Sequence, residues 1–285
     1  MIRNRKKKWV LWSAGIAFFI LLCIAAFWQR LAVRRYTVQA GCLDAPVRLA
    51  LLTDLHSTRY GEGQEELIRA IRKEEPDLIL LAGDIADDEV PHDAAWELLS
   101  VIAEEYPCYY VTGNHEFWSG EADRIKETIR SFGVKVLEGN SDVFDIHGQA
   151  LQVSGVDDPE GFLGARSDGN TIPEGWIRQF QAVSSEIQAE VYSILVSHRP
   201  ELVGYYESSG FDLVVAGHAH GGQVRIPGLL NGLLAPNQGL FPEYAGGQYA
   251  LGETDLVVSR GLSRSRLPRI FNPPELVVID LQPVG

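Results

Sequence analysis

Short apolar runs alternate with amphipathic helical patterns over most of the chain after residue 46. Five apolar runs have the length and composition of buried strands, over residues 47–53, 77–82, 108–112, 191–196 and 212–216. Apolar residues recur at helical spacing in the segments 64–74, 93–105, 121–132 and 174–190. Because strands that alternate with helices favour a layered arrangement, the pattern predicts an α/β domain with its helices outside the sheets.

The remaining body of the chain adds short strands and no second domain. Residues 142–146 and 150–154 flank His147-Gly148-Gln149 and predict a hairpin. Two further strands are expected over residues 255–259 and 276–281, with many Gly and Pro between them. A single domain over residues 46–285 accounts for all of these elements.

The N-terminal 45 residues follow a different pattern. Residues 9–28 carry no charge, and twenty helical residues can cross a bilayer core of roughly 30 Å. Trp9 and Trp28 stand at the two ends, where membrane interfaces favour Trp. The pattern predicts a basic cytoplasmic tail (1–8), a transmembrane anchor (9–28) and a tether (29–45). The protein is then a single-pass cell-membrane protein with its N-terminus cytoplasmic and its catalytic domain on the exported side, and a cleavable signal peptide is the alternative.

Charge is distributed unevenly along the chain. Residues 1–35 hold eight Lys or Arg and no acidic residue, and the rest holds 17 basic against 38 acidic residues. So acidic a body repels a polyanion, which argues against nucleic acid as a partner. Cys23, Cys42 and Cys108 show no metal-binding spacing and are interpreted as isolated thiols, while a Cys42–Cys108 pairing and the oligomeric state stay open.

Polar clusters stand at the ends of the five predicted strands. They are Asp54-Leu55-His56, Gly83-Asp84 with Asp87, Gly113-Asn114-His115-Glu116, Ser197-His198 and Gly217-His218-Ala219-His220. Carboxylate and amide oxygens and imidazole nitrogens are the donors that hard to borderline divalent metals prefer. Ligands of open α/β sheets bind at the carboxyl ends of the strands, so the clusters predict a centre that holds two metal ions.

The order of these clusters resembles the calcineurin-like metallophosphoesterase superfamily. The shared series is Asp-x-His, Gly-Asp-x-x-Asp, Gly-Asn-His-Glu, a lone strand-end His and Gly-His-x-His, within residues 47–281. Segments 217–223, 259–262 and 272–275 look like a bacterial branch of membrane-associated phosphodiesterases. The resemblance implies a four-layer α/β/β/α sandwich of two mixed β-sheets flanked by helices, which the predicted transmembrane helix precedes.

The resemblance also implies a set of ligands for each of two divalent metal ions. Asp84 would bridge the ions, and the other ligands form two sets: Asp54, His56 and His220 for the first ion, and Asn114, His198 and His218 for the second. Mn, Fe, Zn and Co all suit such donors, and Mn is favoured.

Three further polar residues receive supporting roles. The resemblance implies that His115 gives a proton or a hydrogen bond to the leaving group, and a structural hydrogen bond is the alternative for this residue. Asp87 is expected to orient a metal ligand. Glu116 is interpreted as a residue that starts a helix or supports a ligand.

These residues favour a binuclear metal-dependent phosphoesterase. It would hydrolyse phosphodiester or pyrophosphate bonds by attack of a metal-bridging hydroxide. An anchored enzyme suits lipid-linked or envelope substrates. Six apolar side chains either form a lip that admits an acyl chain or pack beneath a long loop: Leu229, Leu230, Leu233, Leu234, Phe241 and Tyr244. Two alternatives remain: a phosphomonoesterase of small exported metabolites, and a non-catalytic membrane scaffold that the metals stabilise.

Overall fold

The apolar runs of the sequence form two six-stranded sheets and a small two-stranded one. The structure is a computed structural model that describes residues 2–163, 172–264 and 269–284. The strands are β1 (Ala32–Ala40), β2 (Val47–Leu52), β3 (Leu78–Ala82), β4 (Cys108–Val111), β5 (Lys135–Val136), β6 (Asn140–Ile146), β7 (Gln149–Gly155), β8 (Tyr192–Val196), β9 (Leu213–Ala216), β10 (Leu234–Ala235), β11 (Gly239–Leu240), β12 (Gly247–Leu251), β13 (Thr254–Val258) and β14 (Glu275–Pro283). The α-helices are α1 (Ile2–Ala26), α2 (Glu65–Glu74), α3 (Asp93–Glu105), α4 (Asn114–Trp118), α5 (Ala122–Ser131), α6 (Glu174–Ser185) and α7 (Val203–Tyr206).

Both large sheets are mixed. The first has the strand order β1-β14-β2-β3-β4-β5, and the second has the order β12-β13-β9-β8-β7-β6. Strands β2 to β5 run parallel to one another, and β14 runs antiparallel to β2. In the second sheet β7, β8, β9 and β13 are parallel. The parallel strands of each sheet therefore end together, which is where α/β folds bind their ligands.

Three hydrophobic cores separate four layers. Leu49 and Leu51 of β2 pack between the two sheets, whereas Leu52 faces the helices on the outer side. This alternation follows from the two-residue period of a strand. On the far side of the second sheet, Trp176 of α6 and Tyr206 of α7 pack against its strands. The predicted α/β fold with mixed sheets is thereby confirmed.

The predicted strands and helices of the domain agree with the structure to within a few residues, apart from the end of α6. The sequence predicts a helix to residue 190, and α6 ends at Ser185. The side chain of Gln152 on β7 explains the difference. Its amide donates to the Glu186 carbonyl at 3.1 Å and accepts from the Gln188 backbone N–H at 3.0 Å. These two bonds take backbone groups that a longer helix would use.

The segment interpreted as a tether, residues 29–45, contains strand β1. All nine residues of β1 pair in parallel with β14 at the edge of the first sheet. Arg34 and Arg35 make the segment look polar, but Val38 and Ala40 are buried in the core between the sheets. The sequence interpretation missed this strand because its partner lies more than 230 residues away.

The N-terminal segment also differs from the expectation. Among the residues that the structure describes, no helix combines the length and the apolar character needed to cross a bilayer, so the predicted anchor over residues 9–28 is not supported. Helix α1 ends at Ala26, whose carbonyl accepts a hydrogen bond from the Phe271 N–H at 2.7 Å. The three cysteines are free thiols, with Cys42 exposed and Cys108 buried, so the structure contains no Cys42–Cys108 disulfide.

Candidate metal centre

The loops that follow the strands of both sheets meet at one edge of the sandwich. The Asp54 N–H donates to the Gly83 carbonyl at 3.0 Å, and the His56 N–H donates to the Asp84 carbonyl at 2.9 Å. Gly217 precedes His218, and its N–H donates to the His198 carbonyl at 3.1 Å. These bonds join the loops after β2 and β3, and those after β8 and β9. Backbone hydrogen bonds therefore join four of the five polar clusters in two pairs.

Two groups of metal-type ligands lie side by side in these loops. In the first, ligand atoms of Asp54, His56 and His220 all lie within 4.8 Å of one another. In the second, the same holds for Asp84, His198 and His218. Asp84 Oδ2 lies 3.2 Å from His198 Nε2 and 3.6 Å from His56 Nε2, so this one oxygen borders both groups.

Several buried atoms at the centre have no hydrogen-bond partner in the described part of the chain. They are His56 Nε2, Asp84 Oδ2, Asn114 Oδ1 and His198 Nε2. Buried polar atoms without a partner are rare in proteins, and each one needs an explanation. Four of them on residues of the expected ligand set fit a site built for cations. The site residues thus suit the metal ions that the sequence predicts.

The backbone at these residues is strained. Five of the seven expected ligands have φ between 47° and 62°, a region that residues other than Gly seldom adopt: Asp54, His56, Asp84, His218 and His220. Such conformations persist only where surrounding contacts impose them, and they concentrate at functional sites. Gly83 (φ 83°) shows how closely the loops are packed. A Cβ atom there would lie 2.6 Å from His198 Nδ1 and 2.7 Å from the Gly113 nitrogen.

The histidines of the centre fall into different charge states. Burial lowers the pKa of His198, but the adjacent Asp84 carboxylate outweighs it and raises the pKa to about 10. Burial lowers the pKa of His220 to about 4 and that of His218 well below its usual value, with Arg199 adding to the effect at His218. Without metal ions, a proton on His198 therefore balances the buried Asp84 charge. A cation that binds here must displace that proton.

His115 lies next to His56, beside two carboxylates. Its Nδ1 lies 2.6 Å from Asp88 Oδ1 and 3.8 Å from Asp87 Oδ2, and its ring centroid lies 4.3 Å from that of His56. The sequence interpretation did not single out Asp88. The only signal available was its position next to Asp87 in the Asp-x-x-Asp-Asp segment.

Asp87 contacts a ligand residue, as its expected orienting role requires. Its Oδ2 lies 3.1 Å from His56 Nδ1, and its Oδ1 accepts from the Glu89 backbone N–H at 2.9 Å. Burial raises the pKa of Asp87, but these two hydrogen bonds outweigh burial and lower the pKa to about 2. The carboxylate stays charged and turns His56 Nε2 toward Asp84.

Glu116 has a larger role than the start of a helix. Its buried carboxylate accepts four backbone N–H groups, from Asp84, Ile85, Ala86 and Gly113, at 2.8 to 3.0 Å. Burial and the nearby Asp84 charge raise its pKa to about 7, against the lowering effect of the N–H groups. Glu116 thus joins the loop after β3 to the loop after β4. The signal in the sequence is a Glu three residues after Gly113, at the start of α4.

Two cavities of about 490 and 460 Å³ border the centre. His115, Trp118 and His220 line both of them. Trp118 is 53% exposed, and its ring centroid lies 4.8 Å from that of His115. The centre can therefore be reached from solvent past His115 and Trp118.

Comparison with known proteins agrees with this geometry. Residues 47–222 match the family model described as calcineurin-like phosphoesterase. Phosphodiesterase YaeI of Escherichia coli is 27% identical over 243 residues, which cover 83% of each chain. An uncharacterized metallophosphoesterase of Campylobacter jejuni is 28% identical over 256 residues, 88% of this chain and 63% of that relative. The matched segment contains every residue of the two ligand groups, and this chain therefore belongs to the calcineurin-like phosphoesterase family and is a hydrolase.

Proposed function

We propose that this protein is a binuclear metal-dependent phosphodiesterase that hydrolyses phosphodiester or pyrophosphate bonds. The observation that carries the proposal is the pair of ligand groups that meet at Asp84, with four buried ligand atoms that lack hydrogen-bond partners. The relative YaeI is named a phosphodiesterase, which favours a diester over a monoester. A phosphomonoesterase is the alternative that the proposal has to exclude.

The proposed ligands divide as the two groups do. Asp54, His56 and His220 would hold one ion, and Asn114, His198 and His218 the other, with Asp84 shared between them. Divalent ions held by these residues, Mn²⁺ by preference, would supply Lewis-acid chemistry and an activated water. The chain holds the ligand atoms in place before any ion binds, because the backbone is strained and Glu116 accepts hydrogen bonds from backbone N–H groups.

His115 is the proposed proton donor to the leaving group. Asp88 accepts a hydrogen bond from His115 Nδ1, which fixes the ring and leaves Nε2 for the substrate. With Nδ1 donating to Asp88, Nε2 can donate to the leaving group when the ring carries both protons. His115 lines both cavities, so a leaving oxygen in either one can reach it.

Lipid-linked substrates are the proposed finer class. The loop between His220 and Tyr244 exposes large apolar side chains, with Leu229 at 82%, Leu240 at 66% and Phe241 at 65% exposure. Exposed large apolar side chains are typical of surfaces that meet an apolar ligand. The same loop returns to the centre at Asn237, whose side chain contacts His218. An acyl chain on the loop would therefore lie close to a phosphate at the metals.

The test compares substrates on one preparation of the full-length protein loaded with Mn²⁺. Hydrolysis of an aryl phosphodiester faster than of the matching aryl monoester supports the proposal, and Asp84→Asn serves as the inactive control. A preference for the monoester would favour the phosphomonoesterase. Metal-loaded protein that hydrolyses no ester, but gains stability with Mn²⁺, would favour the scaffold.

A further inference from the structure

The Nε2 nitrogen of His218 lies in a polar pocket formed by Asn237 and Arg199. His218 Nε2 is 2.9 Å from Asn237 Oδ1 and 3.1 Å from Arg199 Nη1. Arg199 Nη1 also donates to Asn237 Oδ1, at 2.6 Å. His218 and Arg199 are both buried, whereas Asn237 closes the pocket from the solvent side.

Arg199 is fixed in this pocket by a paired hydrogen bond to Asp158. Its Nε and Nη2 donate to the two carboxylate oxygens of Asp158 at 2.6 and 2.8 Å. A two-point contact between planar groups leaves a guanidinium little freedom to rotate. Nη1 therefore has a fixed direction, toward Asn237 and His218.

The hydrogen-bond roles follow from the chemistry of these groups. A guanidinium can only donate, so the atom of Asn237 that faces Arg199 is the amide oxygen. That oxygen also faces His218 Nε2, and two acceptors cannot share a hydrogen bond without a proton between them. His218 Nε2 therefore faces one acceptor and one donor. The Asn237 oxygen, at 2.9 Å, is closer than Arg199 Nη1, at 3.1 Å, so the proton is placed on Nε2, which donates to Asn237. In a neutral imidazole the lone pair then lies on Nδ1, the nitrogen available to a metal.

We propose that Asn237 is a positioning residue that holds His218 in the Nε2–H tautomer, so that Nδ1 binds the second metal ion. The inference rests on the proposed function, since it concerns the ligands of the same centre. Asn237 lies in the hairpin of β10 and β11, almost forty residues after the Arg199 that orients it. The loop that carries the exposed apolar residues is thus also part of the metal site.

The position of Arg199 explains why His218 Nε2 needs a hydrogen-bond acceptor beside it. Without Asn237, the nearest group to His218 Nε2 is Arg199 Nη1, a donor. A donor there stabilises the opposite tautomer, in which Nδ1 carries the proton and cannot bind a metal. Loss of a residue that orients a metal-bound histidine typically costs about 10- to 100-fold in metal affinity. We expect a loss of this size for the second ion and little change for the first.

The experiment uses two substitutions in the full-length protein. Asn237→Gly removes the acceptor, and Gly adopts the local φ of 57° without strain. Asn237→Asp is the matched control, because a carboxylate oxygen can accept from both Arg199 and His218. The first readout is the ¹⁵N NMR spectrum of the imidazoles in metal-free protein, assigned with His218→Gln. The second is a calorimetric titration with Mn²⁺.

The proposal predicts an Nε2–H tautomer for His218 in the wild type and in Asn237→Asp, and a shift toward Nδ1–H in Asn237→Gly. It also predicts that only Asn237→Gly weakens the second Mn²⁺ by about 10- to 100-fold. An unchanged tautomer in Asn237→Gly, or equal losses of affinity in both variants, would overturn it. If the wild type binds no second ion, the proposed function is wrong. The role of Asn237 is tested separately, because an Nδ1–H tautomer of His218 in the metal-free wild type would refute it.

Discussion

The two sheets hold their shares of the metal centre by different means. On the first sheet, Glu116 binds four backbone N–H groups and fixes the loops of Asp84 and Asn114 directly. On the second sheet, a backbone hydrogen bond joins the loops of His198 and His218, but the ring of His218 is positioned by the side chains of Asn237 and Arg199. Because Glu116 binds backbone groups, the part of the centre on the first sheet is coupled to the stability of the fold. The side chains that position His218 on the second sheet can change without unfolding the protein. Substitutions in the two halves should therefore separate stability from metal affinity.

The largest loss of activity is expected at Asp84, the residue that borders both ligand groups. Asp84→Ala removes the oxygen that borders both ligand groups and leaves a methyl group in its place. The loss of turnover on an aryl phosphodiester should exceed the roughly 100-fold upper value typical of supporting residues. Steady-state kinetics with saturating Mn²⁺ measure it. Activity within tenfold of the wild type would show that Asp84 is not a shared ligand.

His115→Ala should lower turnover next most strongly and leave metal binding intact. General acid catalysis is worth about 100- to 10,000-fold, and the loss should be smallest for leaving groups that need no proton. The measurement compares an alkyl with an activated aryl diester, with Mn²⁺ stoichiometry as the control. Equal losses on both substrates would contradict a proton-donating role and favour the structural hydrogen bond.

Metal affinity should rise with pH. Because Asp84 raises the pKa of His198 to about 10, this imidazole is protonated at neutral pH in the metal-free protein, and binding must release its proton. Apparent affinity should increase about tenfold per pH unit between pH 6 and 8 for each proton released. Calorimetry in buffers of different ionisation enthalpy counts the protons. Binding without proton release would show that His198 is not a ligand.

Glu116→Gln tests the backbone clamp on the first sheet. An amide nitrogen cannot accept, so two of the four backbone N–H groups lose their partner, which costs about 1–3 kcal/mol for each buried group left unpaired. The free energy of unfolding of the metal-free protein should fall by at least this amount. Glu121→Gln, at an exposed position on the turn before α5, is the matched control. Equal stability of both variants would rule out the clamp.

The smallest effect is expected at the exposed apolar loop. Phe241→Ser should slow hydrolysis of a phosphodiester lipid in vesicles about tenfold, because loss of one apolar contact of this size costs about 1–2 kcal/mol. Hydrolysis of a soluble aryl diester should not change. Val143→Ser removes an exposed apolar residue from β6 and controls for surface effects. A parallel loss on both substrates would remove the case for a lipid-linked substrate.

The residues that the structure brings together in the two groups can be found from the sequence because each one follows an apolar strand. Asp54 and His56 come after β2, and His218 and His220 come after β9, so local patterns are sufficient to find them. Supporting residues such as Asp88, Arg199 and Asn237 act through contacts between distant segments, and no local pattern marks them. The sequence does not indicate strand β1 for the same reason, since it pairs with the distant β14. The location of the protein on the exported side of the cell membrane stays a prediction.

The most direct test of the account is the number of divalent ions that the purified protein binds. Metal analysis and Mn²⁺ titration of the full-length chain should give two ions per chain, and Asp54→Ala and His198→Ala should each weaken a different one. The two variants should also lose diesterase activity together. One ion per chain, or two ions whose binding is the same in both variants, would contradict a centre built from the two ligand groups around Asp84.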